Sequence, residues 1–159
     1  MDPEIKKKVL RKLVYGVYVV GVKDTAGTVN AFTATWVTQC SFNPPLILVA
    51  IENQAHSLKM ISDSRVLTVN FLGSDQKGIA QHFLKPAPPG GSKLEGIRHR
   101  LGKTGAPILE EAAGYLECEV RQIHPDGDHA LVVAEIVEAG IQREADSLIL
   151  KETGWTYGG

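Results

Sequence analysis

Asn30-Ala-Phe-Thr-Ala-Thr-Trp-Val-Thr-Gln-Cys-Ser-Phe-Asn-Pro-Pro-Leu-Ile-Leu-Val-Ala-Ile51 is the stretch on which the reading of this chain turns. Its first half is β-prone and rich in small hydroxyl residues, and Thr33, Thr35, Thr38 and Ser41 are expected to present hydroxyls to one surface. Its second half, Leu46 to Ile51, is a continuous apolar run, which predicts a strand buried on both faces. Asn43-Pro44-Pro45 lies between them; prolines fix φ and donate no hydrogen bond, so this is a stiff corner. A hydroxyl-bearing strand turned back against a core strand is a suitable wall for a polar, polyhydroxylated ligand. Threonine is also favoured in strands for its branched β-carbon alone, so a purely structural reading of the same residues stands beside that one.

Working outward, Asp2-Pro3-Glu4 is a helix start, with a capping Asp, Pro in the first turn and an acid at the positive end. Ile5, Val9 and Leu13 then follow as a narrow apolar stripe between solvated lysines. Tyr15 to Val22 is β-like and Lys23 to Gly27 reads as a hairpin turn. After the long stretch, Glu52 to His56 is a polar link. Ser57 is expected to cap a short helix ending near Asp63-Ser64. Val66 to Leu72 reads as a buried strand. Ser74 is expected to cap a helix from Asp75 to about Leu84, with Ile79, Ala80, Phe83 and Leu84 facing inward. Pro86 to Gly91 cannot be regular, and Leu94 to Gly105 is expected to be irregular; a long loop in a compact domain is usually functional. Gly114 to Ile123 alternates, with Leu116, Cys118 and Val120 on one face and Glu117, Glu119 and Arg121 on the solvated one. His124 to Asp128 is a turn, Leu131 to Val137 a strand and Ser147 to Leu150 a short strand. Trp155 and Tyr157 are expected to pack on the sheet or on a subunit partner.

The strands do not alternate regularly with helices, and no GxGxxG follows a strand, so a doubly wound parallel sheet is disfavoured. The pattern predicts a mainly β fold: a closed antiparallel β-barrel with peripheral helices, as one domain over residues 1–159. Apolar residues make up 43% and the net charge is −1, which gives no electrostatic case for nucleic acid or an anionic membrane surface. The longest apolar run is far short of the roughly 20 residues that span a bilayer. Met1 to Lys12 has no hydrophobic signal core, so a cytoplasmic location is expected. Cys40 and Cys118 are expected to be free thiols. No HExxH, paired histidine spacing or GxSxG occurs, which argues against zinc and against a hydrolase elbow, and no metal site is expected. Asp126-Gly127-Asp128 lacks the glutamate that closes a calcium loop.

Four segments in order carry a resemblance: Asn30–Ile51; Ser64 to Leu72; Gly105 to Leu109 with Tyr115-Leu116-Glu117-Cys118; and Gly127-Asp128-His129. Together they resemble the flavin reductase-like proteins of the FMN-binding split-barrel group, from about Val14 to Thr156. The resemblance implies a Greek-key-type split barrel, FMN (or FAD) as the bound flavin, NAD(P)H as co-substrate, and a homodimer that passes electrons to free flavin or to an acceptor protein. Carried onto this sequence, the flavin wall comprises Asn30, Phe32, Thr33, Ala34, Thr35, Trp36, Cys40 and Ser41, with Glu52 on the polar link. His56 and Ser57 at a helix start would meet the phosphate, since free N–H groups and the positive helix end favour an anion there; the alternative is that Ser57 only caps its helix. Lys93 corresponds to a basic residue in the family's mobile loop near the phosphate. His129 would help receive the nicotinamide nucleotide. The other readings kept open are an FMN electron carrier without efficient NAD(P)H oxidation, and a non-flavin β-barrel binding module.

Overall fold

The computed structural model describes residues 1–89 and 91–159; Gly90, inside the Pro86–Gly91 segment read as irregular, lies outside them. Among the described residues, runs of β-branched and aromatic residues form nine strands: β1 (Tyr18–Lys23), β2 (Val29–Ala34), β3 (Val37–Ser41), β4 (Leu46–Glu52), β5 (Val66–Phe71), β6 (His99–Leu101), β7 (Pro107–Leu109), β8 (Gly114–His124) and β9 (His129–Ile141). Seven of them make one antiparallel sheet in the order β2-β1-β5-β8-β9-β4-β3, and β6 pairs with β7 separately.

The sheet cannot be flat. Its two outermost strands, β2 and β3, would lie about 29 Å apart across six flat inter-strand gaps. Yet only Thr35 and Trp36 connect them, and three Cα steps reach at most about 11 Å. The sheet therefore curls until its two edges meet at that corner. The expected closed ring is only partly met: among the described residues no ladder pairs β2 with β3. The chain has already switched partners by Trp36, whose carbonyl accepts from the Ala50 N–H of β4 (3.0 Å). The result is a curled half-barrel, open along one seam.

Both faces of β1 are buried. Val20 and Val22 join one cluster with Ile47, Val49, Leu67, Val69 and Val132. Val17 and Val19 join another with Leu72, Phe83, Leu109 and Leu148. A Cβ at Gly21 would overlap the Thr68 hydroxyl and the Pro107 carbonyl, so the glycine sets how closely β7 approaches β1. The expectation for β4 is half met: Ile47, Val49 and Ile51 are buried, but Leu46, Leu48 and Ala50 on the other face are only half-buried.

Among the described residues, four helices surround the sheet. In α1 (Pro3–Leu10) the Asp2 carboxylate accepts from the Glu4 and Ile5 amides (2.8 and 3.3 Å). Its stripe, Ile5, Val9 and the following Leu13, stays exposed. In α2 (His56–Ser64), Met60 and Ile61 plug one core cluster. In α3 (Lys77–Leu84) the N-cap is Gln76 rather than Ser74, and Leu84 is exposed while Ala80 and Phe83 are buried. The segment read as a strand near Ser147 forms two isolated bridges, to Gly73 and Gly16, before α4 (Leu150–Thr153). The segment read as irregular after Leu94 contains β6. No helix among the described residues is long and apolar enough to cross a membrane.

One residue assigned to the solvated face is buried. Glu117 is 1% exposed, and its carboxylate accepts from the Thr104 amide and hydroxyl (2.9 and 3.0 Å). Leu116, Cys118 and Val120 keep the expected face, against the core cluster; Glu117 is on the opposite face as expected, but the Gly102–Thr104 turn lies over it and takes the place of solvent.

Asn70 is the buried polar link between layers. Its amide donates to the Val19 carbonyl (3.0 Å), and its oxygen accepts from the Leu109 amide (2.8 Å). Truncation leaves two buried backbone groups without partners. Asn70→Ala is expected to cost roughly 2–4 kcal/mol. In urea unfolding this appears as a lower midpoint at unchanged slope.

Candidate functional site

A cavity of about 580 Å³ opens where the β2–β3 corner, the start of α2, the end of α3 and the first residue of β9 converge. That volume lies within the roughly 300–1,000 Å³ of small-molecule sites. β2 and the corner contribute Asn30, Phe32, Thr33, Ala34, Thr35 and Trp36; Glu52, His56 and Ser57 come from the end of β4 and the start of α2; Lys93 and His129 complete the predicted set.

Cys40 and Ser41 are not among the lining residues. As a single strand, Asn30–Ser41 would form one continuous wall. The structure breaks it at Thr35-Trp36, after which β3 follows β4, and Thr38, Gln39 and Cys40 face solvent. The hydroxyls therefore do not share one surface. Thr33 Oγ1 donates to the Ala80 carbonyl of α3 (2.6 Å), so this hydroxyl fastens the wall to the helix.

The start of α2 differs from its sequence reading. The N-cap is Ala55, with no side-chain cap, and Ser57 sits inside the first turn at 9% exposure. An uncapped first turn leaves N–H groups and the positive end of the helix dipole for something else to satisfy. Lys93 Nζ donates to the Phe83 carbonyl (3.3 Å), and burial holds its ammonium below the ordinary lysine range.

Around His129 the groups form a chain. Nδ1 lies 2.8 Å from the Asp128 carboxylate and Nε2 lies 2.9 Å from the Tyr157 hydroxyl. The hydrogen bond from His129 draws the Asp128 carboxyl below its usual value. The Trp36 ring lies 4.7 Å from the His129 ring and 5.2 Å from that of Tyr157. Trp36 Nε1 is buried without a hydrogen-bond partner among the described residues. The Asn53 side chain donates to the Gly127 carbonyl (2.6 Å), and its amide to the Asp128 carbonyl (2.9 Å), tying the link before α2 to the turn before His129.

Trp155, Thr156 and Tyr157 also line the cavity and were not anticipated there. The available signal was the Trp-x-Tyr spacing, which puts two aromatic rings on one side of an extended segment.

Residues 10–157 match the family model for the flavin reductase like domain. The chain is 33% identical over 146 residues to diflavin flavoprotein A 1 of Synechocystis, covering 90% of this chain and 25% of that one. It is 28% identical over 159 residues to a flavin reductase of Pseudomonas putida, covering 100% and 91%. In structure it resembles the NADH:FAD oxidoreductase of Streptomyces globisporus C-1027, with a TM-score of 0.82 at 26% identity, covering 94% and 90%. The chain spans 18% to 42% of the length of several other curated relatives it matches.

The two thiols differ sharply. Cys40 is exposed, whereas Cys118 is buried, and burial, then the neighbouring Glu117 charge, pushes its thiol up to about 12. The thiolate is the reactive form. One thiol per chain is therefore expected to react rapidly with an aromatic disulfide reagent at pH 8, and the second only on unfolding. Loss of the fast phase in Cys40→Ser checks the assignment. The raised folded value also means that the Cys118 contribution to stability is intact below pH 9 and lost as pH climbs toward 12.

Proposed function

The chain belongs to the flavin reductase like domain family, and from that premise we propose that it is an oxidoreductase that reduces flavin with a nicotinamide nucleotide. One observation carries the reading: the uncapped first turn of α2 opens onto the same cavity as Ser57, Lys93 and the β2 wall. A phosphate suits that helix start, where amides and dipole both favour an anion. Phe32, Ala34 and Ala50 offer apolar wall for a flat ring system.

The flavin we assign is FMN, and when bound it supplies the hydride chemistry. The chain's own part is to bind and orient. Ser57 and the first-turn amides of α2 hold the phosphate, and Lys93 adds positive charge. The cavity-lining residues of the Asn30–Trp36 segment would form the wall that holds the flavin. The His129 side receives NAD(P)H and excludes water from the open face. The half-barrel seam is read as the opening of a split barrel, completed in a homodimer, with electrons leaving to free flavin or an acceptor protein. Likeness to diflavin flavoproteins, of which this chain matches one quarter in the Synechocystis case, favours a second reading as an FMN carrier reduced by another protein.

Purified protein is expected to retain, or to take up, FMN with flavin absorption bands that survive dialysis; a colourless protein whose spectrum FMN and FAD leave unchanged would overturn the reading. NAD(P)H should bleach those bands without air, while bleaching by dithionite alone selects the carrier. Ser57→Ala is expected to weaken FMN about tenfold or more, the worth of one charge-assisted hydrogen bond, and to leave riboflavin, which has no phosphate, nearly unaffected. Equal weakening of both would remove Ser57 from the phosphate. FMN affinity should also fall as pH rises through the lowered Lys93 range, because the ammonium is then lost. Titration of Lys93→Met, which should show a flatter dependence, checks this.

A further inference from the structure

Both ring nitrogens of His129 are already used. Asp128 presents a carboxylate that can only accept, so Nδ1 carries the proton of that 2.8 Å bond. In the neutral ring, Nε2 then offers a lone pair, and the Tyr157 hydroxyl 2.9 Å away is the donor. Nothing on His129 remains free for a further hydrogen bond. The group at the outer end of the chain is the Tyr157 oxygen, which keeps lone pairs after donating its proton. Tyr157 is 41% exposed and lines the cavity, whereas the His129 side chain is only 15% exposed.

We propose that Tyr157 is the residue that meets the carboxamide of the nicotinamide nucleotide, with Asp128 and His129 behind it as positioning residues that aim its hydroxyl. This rests on the reductase reading above. A primary carboxamide carries an NH2 donor, and a phenol oxygen whose proton points away at an imidazole is a matched acceptor. Burial, followed by the negative charges of Glu52 and Asp128 and a side-chain hydrogen bond with Glu52, raises the Tyr157 phenol above its ordinary range, so the hydroxyl keeps its proton as a donor, with His129 Nε2 at 2.9 Å. The ring is braced edge-on against Trp36, so the hydroxyl direction is fixed from two sides.

The test is anaerobic stopped-flow reduction of the flavin-loaded protein by NADH and by NADPH. Tyr157→Phe keeps the ring against Trp36 and removes only the hydroxyl. Half-saturation by the nucleotide is expected to rise about tenfold, as for one lost hydrogen bond, while flavin affinity and the dithionite rate stay unchanged. His129→Gln should weaken the nucleotide similarly, and the double variant should be no weaker than either single one, because all act through one chain. A Phe variant indistinguishable from wild type makes Tyr157 a packing residue and overturns the inference. A Phe variant that binds the nucleotide more tightly makes the hydroxyl a plug on His129 and overturns it as well. Additive losses in the double variant mean separate contacts and overturn the relay. Wild-type protein that dithionite reduces and neither nucleotide reduces overturns the reductase reading, and this inference with it.

Discussion

The connection of two residues between the outermost strands governs the molecule. Thr35 and Trp36 join the two ends of a seven-stranded sheet, and no flat or gently twisted sheet satisfies so short a tether. Curling brings the two edges together, and the curl buries Val20, Val49, Leu67 and Val132 in one cluster with Met60 and Ile61 of α2. It also creates the cavity, because a corner that ends β2 and starts β3 leaves room that neither strand fills. Trp36 sits at that corner with its nitrogen buried and unpartnered, which is a cost the fold itself does not offset.

The polar elements divide by what they do for the fold. Asn70, Thr68 and Glu117 are buried and answered by protein groups: Asn70 joins β5 to β1 and β7, Thr68 Oγ1 donates to the Pro107 carbonyl (2.5 Å), and Glu117 holds the Thr104 turn. The cavity groups are answered incompletely. The first turn of α2 has no cap, and burial depresses the Lys93 ammonium. Polar groups left wanting in one place are the physical signature of a site rather than of a core.

Much of this was legible in the sequence. The β5 run, the α1 cap at Asp2 and the Asn43–Pro45 corner follow local rules, and eleven of the predicted site residues do converge on one cavity. What was not legible depends on pairing partners. Cys40 and Ser41 leave the wall because β3 belongs to β4, a fact about the far edge of the sheet. Glu117 is buried because the Gly102–Thr104 turn folds over its face of β8, and no alternation pattern says what covers a face. Ser57 is not the cap because the helix begins one residue before it, within the ordinary error of a boundary read from a capping residue. Tyr157 was placed on a packing surface because its partner, His129, is 28 residues away.

Asn53 has a further consequence. It is bonded twice to the turn that carries Asp128, and it lies three residues before His56. The helix start proposed for the phosphate and the histidine proposed for the nucleotide side are thus two ends of one stitched segment rather than independent loops. A ligand that stills the first end also restricts the second, so part of the conformational entropy lost in ordering His129 is removed before the second ligand arrives. Because such coupling is reciprocal, whatever the first ligand does for the second, the second does for the first.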